Sequence, residues 1–468
     1  MTRTVHWFRN DLRRRDNRAL REACDGADAL LCLFVLDPRL LEREDAGGPR
    51  LRFLREGLTR LDEALQERGQ RLVVRRGDPA EVVPRVLHES GAERLVFARD
   101  TTPYARRRDD AVRARAEKQG VRVRAVKDRV LFEADEVQKK DGGSYAVYSP
   151  FRDRLYARLR EEPLRPERAP RLPPPVPGVD AGSLPSPADL GVADDDTDLP
   201  TAGADAARRR LDAFLAGGLR HYARDRDRPA VDGTSRLSPY LRFGMISARE
   251  CVYAARDAAA DEPGLRRGAR AWIDELVWRD FYAAVLQENP HVLRRSHKPA
   301  FDAVRWLDRD DELEAWCRGE TGYPLVDAGM RQLRATGWVH NRVRMVVASF
   351  LTKDLLVDWR RGERFFFTRL VDGDPASNNG GWQWAASTGT DPQPWFRIFN
   401  PTTQAKRFDP DGTYVRRWIP ELEAAPTDRV HEPWRWPGRG DRYPDPIVDH
   451  KERRELALAR YREASERD

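Results

Sequence analysis

Short apolar runs alternate with amphipathic stretches in the first third of the chain. The apolar runs lie at residues 5–8, 30–36, 72–74, 95–97 and 121–126. Between them, stretches such as 51–68 and 80–89 place apolar residues at helical spacing. Strands and helices that alternate in this way are typical of a mostly parallel sheet with helices on both faces. No GxGxxG motif follows the first run, so the pattern does not indicate an ordinary dinucleotide site.

The pattern changes twice after the predicted sheet. Prolines crowd residues 163 to 187, and the acidic run Asp194 to Asp196 follows, which predicts a long surface connector with no core of its own. After residue 205 the helical period dominates, at 206–215, 247–259, 267–288, 325–336 and 341–356. We therefore predict a Rossmann-like α/β domain at 1–131, a linker at 132–205 and an all-helical domain at 206–468.

Composition excludes several classes of protein. The 468 residues are 34% charged and 40% hydrophobic, which is the balance of a soluble globular protein. The chain shows neither an apolar run of about 18 residues nor a secretion leader. Its four cysteines lie far apart without the spacing of a zinc site. We expect free thiols, no bound metal and a reducing compartment, the cytoplasm.

Two residue types are unusual in number. Of the 84 basic residues, 76 are Arg and 8 are Lys, and the net charge is +7. This excess fits either a coding bias or the binding of anions. Of the 13 tryptophans, 12 lie in the last 197 residues. The C-terminal half therefore has a use for flat aromatic rings.

Two polar motifs in the second half fall at or within predicted helices. Residues 234–238 group three hydroxyls around Arg236, which fits either an anion site or a simple helix cap. In the helical stretch 272–279, Glu275 and Trp278 lie on one face. An ordinary amphipathic helix is the alternative interpretation of that stretch.

A third motif, residues 372–384, is rich in Gly, Asn and Asp and contains two tryptophans. Such a run forms helices and strands poorly, so we expect a turn or loop. Trp382 and Trp384 would point to the same side of an extended backbone and to different sides of a helix. Their spacing alone does not separate their roles.

Six segments, taken in order, resemble the photolyase/cryptochrome family. They lie at 7–13, 234–238, 321–333, 336–342, 372–390 and 396–401. The resemblance covers essentially the whole chain and is closest to class I photolyases that act on cyclobutane pyrimidine dimers. It implies an N-terminal α/β domain, a long linker and a helical domain that holds FAD in a bent form.

The resemblance assigns two sets of residues to FAD. The contacts on the phosphate side match Tyr222, Thr234, Ser235, Arg236, Leu237 and Ser238. The positions around the flavin match Trp272, Glu275, Arg279, Asn341, Arg344, Asp372, Gly373, Asp374 and Asn378. Asn378 would face the flavin N5, where an amide suits a repair enzyme better than the Asp of plant-type cryptochromes.

The resemblance also implies damaged DNA as the partner of a monomer. The dimer leaves the duplex to reach the flavin, a solution the family is known for. Trp278 and Trp384 match the rings that pack on the dimer. Glu275 matches the group that hydrogen-bonds the edges of its bases. Asn341 and Met345 match the pattern of the members that act on the cyclobutane lesion. Contacts to the DNA backbone match Arg226, Arg342, Arg397 and Gln404.

The implied reaction is a light-driven carbon–carbon lyase reaction. An electron from excited, fully reduced FAD splits the cyclobutane ring and then returns, with Glu275, Asn341 and Asn378 around the reacting groups. Trp382, Trp359 and Trp306 match a chain that reduces the resting flavin from the surface. For Trp306 and Trp359, packing in the core is the alternative that spacing alone would favour.

A second, light-harvesting chromophore is expected on the α/β domain. Residues 98–109 resemble the members that bind deazaflavin, and Arg50, Asp100, Arg108 and Arg242 match contact positions. We favour 8-hydroxy-5-deazaflavin over 5,10-methenyltetrahydrofolate or FMN. Two other functions stay open: a blue-light receptor without repair activity, and a plain DNA-binding module. The receptor is disfavoured because the chain ends soon after the last motif.

Overall fold

The computed structural model describes residues 1–192 and 196–466, so Asp194 and Asp195 of the acidic run lie outside the described residues. Five strands lie in the first third: β1 (Arg3–Phe8), β2 (Ala29–Leu36), β3 (Leu72–Arg76), β4 (Arg94–Ala98) and β5 (Arg122–Val126). The helices around them are α1 (Arg18–Cys24), α2 (Pro38–Leu41), α3 (Gly48–Gln66), α4 (Pro79–Ser90), α5 (Pro103–Lys118) and α6 (Tyr148–Glu161). Every predicted strand is present.

The five strands form one parallel sheet in the order β3-β2-β1-β4-β5. All eight residues of β2 are buried, as expected for a strand that helices cover on both faces. Trp7 of β1 packs edge-on against Phe97 of β4 in the sheet core. From the central strand β1, the chain first adds β2 and β3 on one side and then β4 and β5 on the other. The carboxyl ends of β1 and β4 therefore form a switch point, the usual place for a ligand in such sheets.

Helices make up the second half. They are α7 (Ala204–Ala213), α8 (Tyr222–Asp225), α9 (Ser238–Phe243), α10 (Ala248–Asp261), α11 (Arg266–Glu288), α12 (Asp310–Arg318), α13 (Pro324–Thr336), α14 (Asn341–Ser349), α15 (Trp359–Arg369), α16 (Pro375–Ala386), α17 (Pro401–Phe408), α18 (Thr413–Trp418) and α19 (His450–Ser465). Two π-helical turns, Phe214–Gly218 and Phe350–Asp354, extend α7 and α14. The predicted fold class, a parallel α/β sheet followed by helices, is confirmed.

One local expectation was wrong, because residues 375–386 form helix α16 and not a loop. The side chain of Asp374 accepts hydrogen bonds from the backbone N–H groups of Ala376 and Ser377, and Pro375 occupies the first turn. A good N-cap and tight packing outweigh the low helix propensity of Gly and Asn.

The proline-rich connector covers the edge of the sheet. The backbone N–H of Val74 in the edge strand β3 donates to Ala181 O, and Leu30 of β2 forms a bridge with Pro175. Leu164, Val176 and Val179 are buried. The connector thus adds side chains to the sheet domain, and its backbone occupies edge groups that would otherwise be unpaired.

The described residues form two compact units. One contains those of 1–195, 200–220 and 235–290, and the other contains 196–199, 221–234 and 291–466. Helices α9 to α11 thus belong with the sheet. A buried charge cluster explains this grouping, because Arg249 of α10 is paired with Asp16 and Asp128 from the loops near the sheet. The boundaries at 131 and 205 stay a prediction.

The second unit has a large core built by α13 to α16 and α18. Trp316, Trp359 and Tyr414 are among its fully buried side chains. Within the described residues, no helix combines the length and apolar character needed to cross a membrane. All four cysteines are free thiols.

Candidate functional site

Helix α16 carries three of the predicted functional residues. Asn378 and Trp382 are four residues apart and lie on one face of the helix, whereas Trp384 points elsewhere. Trp382 is buried, and Asn378 and Trp384 are half-buried. The helical backbone therefore separates the two tryptophans, one into the core and one toward the surface.

An ion pair lies beside the start of α16. The Arg344 guanidinium of α14 contacts Asp372 Oδ2 at 2.8 Å and also donates to the carbonyl of Val339. Asp372 Oδ1 is buried and has no hydrogen-bond partner among the described residues. Because an unsatisfied buried carboxylate oxygen is costly, this position fits a donor group of a bound ligand.

Helix α14 begins with the two residues expected to contact the lesion. Asn341 is its exposed first residue, and Met345 lies one turn later on the same face. His340 is the N-cap, and its Nδ1 accepts a hydrogen bond from the backbone N–H of Arg342 at 3.2 Å. This cap fixes where α14 begins and hence where Asn341 lies.

The three tryptophans of the predicted electron-transfer chain lie on neighbouring segments. The ring of Trp382 packs directly against Gly362 of α15, where an added Cβ would lie 2.3 Å from Cη2 of Trp382. Trp359 is three residues before Gly362, on the same face of α15. The residue after Trp306, Leu307, donates its backbone N–H to Leu356 O at 2.7 Å.

Two of these tryptophans are buried and the third is not. Trp382 is 3% exposed and Trp359 is 0% exposed, whereas Trp306 is only half-buried. Trp306 therefore lies nearer the surface of its unit than Trp359 and Trp382. The spacing of the tryptophans in the sequence did not indicate that they lie on neighbouring segments.

Helix α11 of the other unit holds the remaining residues predicted near the flavin. Trp272 is buried, and its Nε1 donates to Ser235 Oγ at 3.2 Å. Arg279 donates to the backbone carbonyl of Arg129 at 2.8 Å. Glu275 is half-buried. Within this unit, the helix thus connects to the hydroxyl cluster at 235–238.

Tyr148 covers one face of Trp278, the residue predicted to pack on the lesion. The two rings are stacked with centroids 3.6 Å apart and planes within 7°. The Tyr148 hydroxyl donates to the carbonyl of Asp274 on the same helix as Trp278. Sequence reasoning missed Tyr148, because it lies 130 positions before its partner and no local pattern links them.

The hydroxyl cluster has an unusual backbone. Arg236 has a φ of 48°, a left-handed conformation that is uncommon for a residue other than Gly, Asn or Asp. Ser235 is buried, whereas Arg236 and Ser238 are exposed, and Leu237 is buried before the start of α9. The backbone thus directs the polar groups of this segment outward while Leu237 anchors it.

Tyr222 and Thr234, also predicted on the phosphate side, belong to the second unit. Tyr222 starts α8 and is buried, with the Arg226 guanidinium 5.8 Å from its ring centroid. Arg226 was predicted to contact DNA.

The other predicted DNA contacts have different surroundings. The Arg342 guanidinium is paired with Asp227 at 2.8 Å and lies over the ring of Phe408. A phosphate would have to share it with this carboxylate. Arg397 is exposed, next to Phe396, whose side chain is 58% exposed, and Gln404 lies on α17.

A polar cluster occupies the switch point of the sheet. Asp100, after β4, contacts Arg129 at 2.8 Å and accepts a hydrogen bond from Asn10, which follows β1. Arg242 donates to Asn10 Oδ1 at 2.9 Å. Burial alone would raise the pKa of Asp100, but Arg129 and Arg9 lower it overall, so the carboxylate is ionised.

Arginines surround the aromatic end of β1. The guanidinium groups of Arg9 and Arg108 lie 4.7 Å and 4.9 Å from the ring centroid of Trp7. Arg50 lies on α3 and donates to the backbone carbonyls of Asp45 and Ala46. Arg9 and Asn10 were not predicted as binding residues, although their place after the first strand, at a switch point, could have identified them.

Two protein-family models match the chain. Residues 4–174 match the model described as DNA photolyase. Residues 272–463 match the model described as FAD binding domain of DNA photolyase.

Individual proteins are similar over nearly the whole length. The deoxyribodipyrimidine photo-lyase of Halobacterium salinarum is 43% identical over 98% of this chain and 99% of its own. The crystal structure of a class III photolyase from Agrobacterium tumefaciens has a TM-score of 0.91 and 36% identity, covering 100% of this chain and 98% of its own. A photolyase from Sulfolobus tokodaii, solved with two FAD molecules, has a TM-score of 0.83 and 33% identity over 99% of this chain and 100% of its own.

Proposed function

The chain belongs to the DNA photolyase family, and we propose that it splits cyclobutane pyrimidine dimers in DNA in a light-dependent reaction. The observation that carries this proposal is helix α16. One rigid helix presents an amide, a buried tryptophan and a half-buried tryptophan. These are the groups needed to touch a flavin, to reduce it and to pack on a base.

The residues present fit FAD. The unsatisfied Asp372 Oδ1 offers an acceptor, and the exposed Arg236 and Ser238 offer donors suited to phosphate. The residues that would hold FAD are Tyr222, Thr234, Ser235, Arg236, Leu237, Ser238, Trp272, Glu275, Arg279, Asn341, Arg344, Asp372, Gly373, Asp374 and Asn378. When bound and fully reduced, FAD would supply on excitation the electron that splits the C5–C5 and C6–C6 bonds of the dimer and that then returns to it.

The chain itself binds and orients the lesion. Trp278 and Trp384 supply flat apolar faces for bases that have left the duplex. Glu275 is the acceptor for the N–H groups on their edges, and Asn341 with Met345 lies at the start of α14. Asn378 can donate and accept hydrogen bonds, because it carries an amide, and so suits a flavin that changes redox state.

Trp382, Trp359 and Trp306 restore the reduced flavin when it has become oxidised. Indole is the most easily oxidised aromatic side chain. Trp306 is half-buried, which supports its assignment as the last donor, because an external reductant has to reach that residue. Arg226, Arg342, Arg397 and Gln404 would hold the DNA backbone, so binding weakens as salt concentration rises.

We propose the switch point of the sheet as the site of an antenna chromophore. Arg9 and Arg108 share the single carboxylate of Asp109, and Arg242 donates to Asn10, so positive charge exceeds negative charge among these groups and favours an anionic ring. This supports 8-hydroxy-5-deazaflavin over 5,10-methenyltetrahydrofolate or FMN, with Arg50, Asp100, Arg108 and Arg242 among its contacts. The absorption spectrum of the purified protein tests the choice, because a folate-type band would contradict it.

A repair assay tests the main proposal. The purified, flavin-loaded chain is incubated with duplex DNA that contains one thymine dimer, in blue light and in the dark. We expect the dimer to disappear only in the light. Loss of the dimer in neither condition, although the flavin is bound and reduced, would overturn the proposal and favour a blue-light receptor.

A further inference from the structure

A tight turn with two adjacent lysines lies between the sheet and helix α6. The backbone N–H of Lys139 donates to Gly143 O at 2.8 Å, and that of Gly142 donates to Lys139 O at 3.0 Å. Lys139 and Lys140 are both exposed. Because the chain has 8 lysines beside 76 arginines, two lysines in succession are unusual for it. We call residues 139–147 the lysine loop.

The two ammonium groups of the lysine loop have no partner among the described residues. By contrast, Lys127 is paired with Glu136 at 2.7 Å. The carboxylate of Asp141 is used inside the turn, where its Oδ1 accepts a hydrogen bond from the backbone N–H of Gly143 at 3.1 Å. Two lysines against one aspartate give the loop a net charge of +1, with both positive charges on exposed side chains.

Aromatic packing anchors the lysine loop to its unit. The ring of Tyr145 meets that of Phe151 edge-on, with the centroids 6.2 Å apart. Phe151 is buried and packs against Phe281 of α11, with the centroids 5.3 Å apart. The loop is therefore ordered before any ligand binds, which lowers the entropy cost of a contact made by its side chains.

The lysine loop leads directly to the residue that stacks on Trp278. Tyr148 follows the loop as the first residue of α6, and the two ring centroids are 3.6 Å apart. Five residue steps join Gly143 to Tyr148, so the turn lies within about 17 Å of Tyr148. Each strand of duplex DNA carries one phosphate per about 3.4 Å of helix axis, so the turn lies within about five phosphates of a base that packs on Trp278.

We propose that Lys139 and Lys140 bind phosphates of the DNA backbone beside the lesion. This inference rests on the proposed function, because it takes Trp278 as part of the surface that receives the dimer. The four backbone contacts inferred above all belong to the second unit, whereas the lysine loop belongs to the first. A lysine binds phosphate as a point charge and reads no sequence, so the loop strengthens binding of damaged and undamaged DNA alike.

Removing both charges tests the contact. The variant Lys139→Gln/Lys140→Gln is compared with Arg85→Gln/Lys118→Gln, which removes two exposed cations from α4 and α5. The Kd of flavin-loaded protein is measured in the dark, at several salt concentrations, on duplexes with and without one thymine dimer. For the loop variant we expect a Kd about tenfold higher at 0.1 M salt on both duplexes, and a slope of log Kd against log salt smaller by about 2. The control variant and Lys139→Arg/Lys140→Arg should bind like the wild type.

Uncharged linkages in the DNA locate the contact. Single methylphosphonates replace, one at a time, about five phosphates on either side of the dimer. At the contacted positions a neutral linkage should weaken binding by the wild type and leave binding by the loop variant unchanged. Equal weakening of both proteins at every position, or wild-type affinity in the loop variant, would overturn the inference. If the wild type repaired no dimer in the light, the proposed function would fail, whereas these affinities would still report on the lysine loop.

Discussion

Tyr148 and Trp278 are stacked face to face, with ring centroids 3.6 Å apart and planes within 7°. Phe281 meets the edge of the same indole at 81°. Tyr282 lies 5.5 Å away at a tilt of 37°, so three aromatic rings surround the half-buried indole of Trp278. Its ring orientation is set by contacts that exist before any DNA binds, which lowers the entropy cost of binding.

Replacing Tyr148 with Ala should weaken binding of dimer-containing DNA. An aromatic pair contributes about 0.5–1.5 kcal/mol beyond its buried area, so we expect the Kd to rise by up to about tenfold. Tyr148→Phe keeps the ring for the stack and loses the hydrogen bond to Asp274 O, and the Kd should stay within about threefold of the wild type. Fluorescence anisotropy with damaged and undamaged duplexes measures both. Equal weakening on both duplexes would contradict a role in lesion recognition.

Gly362→Ala should disturb Trp382. The added Cβ would lie 2.3 Å from Cη2 of Trp382 and 2.4 Å from Cδ2 of Leu351. Overpacking of this kind costs about 1–3 kcal/mol, and moving the ring should also lower the yield of flavin photoreduction. Gly381→Ala on α16 is the matched control, because its Cβ meets nothing within 4 Å. It should be neutral or stabilise by up to about 1 kcal/mol in chemical unfolding.

Trp306→Phe should block photoreduction of the oxidised flavin and spare repair. The phenyl ring keeps most of the packing but is much harder to oxidise than indole. Repair is measured after chemical reduction of the flavin with dithionite, which makes the tryptophan chain unnecessary. If the chemically reduced variant lost repair to the same extent as photoreduction, Trp306 would not be an electron-transfer residue.

Stability should fall in acid partly through Asp128. Burial alone would raise the pKa of this carboxyl, but Arg13 and Arg249 lower it to about 2 from an ordinary value of 3.8. A lowered pKa means that the unfolded state takes up the proton first, so the stabilisation, about 2 kcal/mol, is complete above pH 3.8 and is lost as the pH falls toward 2.

The variant Asp128→Asn tests this origin. It leaves two buried arginines with one carboxylate fewer and should lower the free energy of unfolding by about 3–5 kcal/mol at neutral pH. The free energy of unfolding should also depend less on pH in the acid range. Asp205→Asn removes a carboxylate whose side chain is 82% exposed and should cost less than about 1 kcal/mol. Urea unfolding as a function of pH measures both. If stability fell with acid equally steeply in Asp128→Asn and in the wild type, the acid sensitivity would come from other groups.

Periodicity predicted the sheet and most helices, because apolar spacing follows directly from which faces are buried. The helix at 375–386 escaped prediction since its Gly and Asn content opposes helix formation, although Asp374 followed by Pro375 is an N-cap signal that was available. Here packing against α15 outweighs propensity, and packing partners are not visible in a local window of sequence.

The long-range contacts could not be predicted. Tyr148 on Trp278, Lys353 on Tyr461 and Arg249 between Asp16 and Asp128 join residues separated by about a hundred positions or more. Each depends on which surfaces the fold brings together. The resemblance to a known family supplied the candidate site residues, and only the structure supplied the neighbours that hold them.

Helix α16 fixes the spacing and the relative orientation of Asn378, Trp382 and Trp384. Inserting or deleting one residue between Asn378 and Trp382 would rotate the two side chains about the helix axis by about 100° relative to each other. One of them would then leave its place, whichever residue was inserted. Substitutions in this helix can be tolerated one at a time, but its length cannot change, so natural variants of this segment should differ in composition and never in the number of residues.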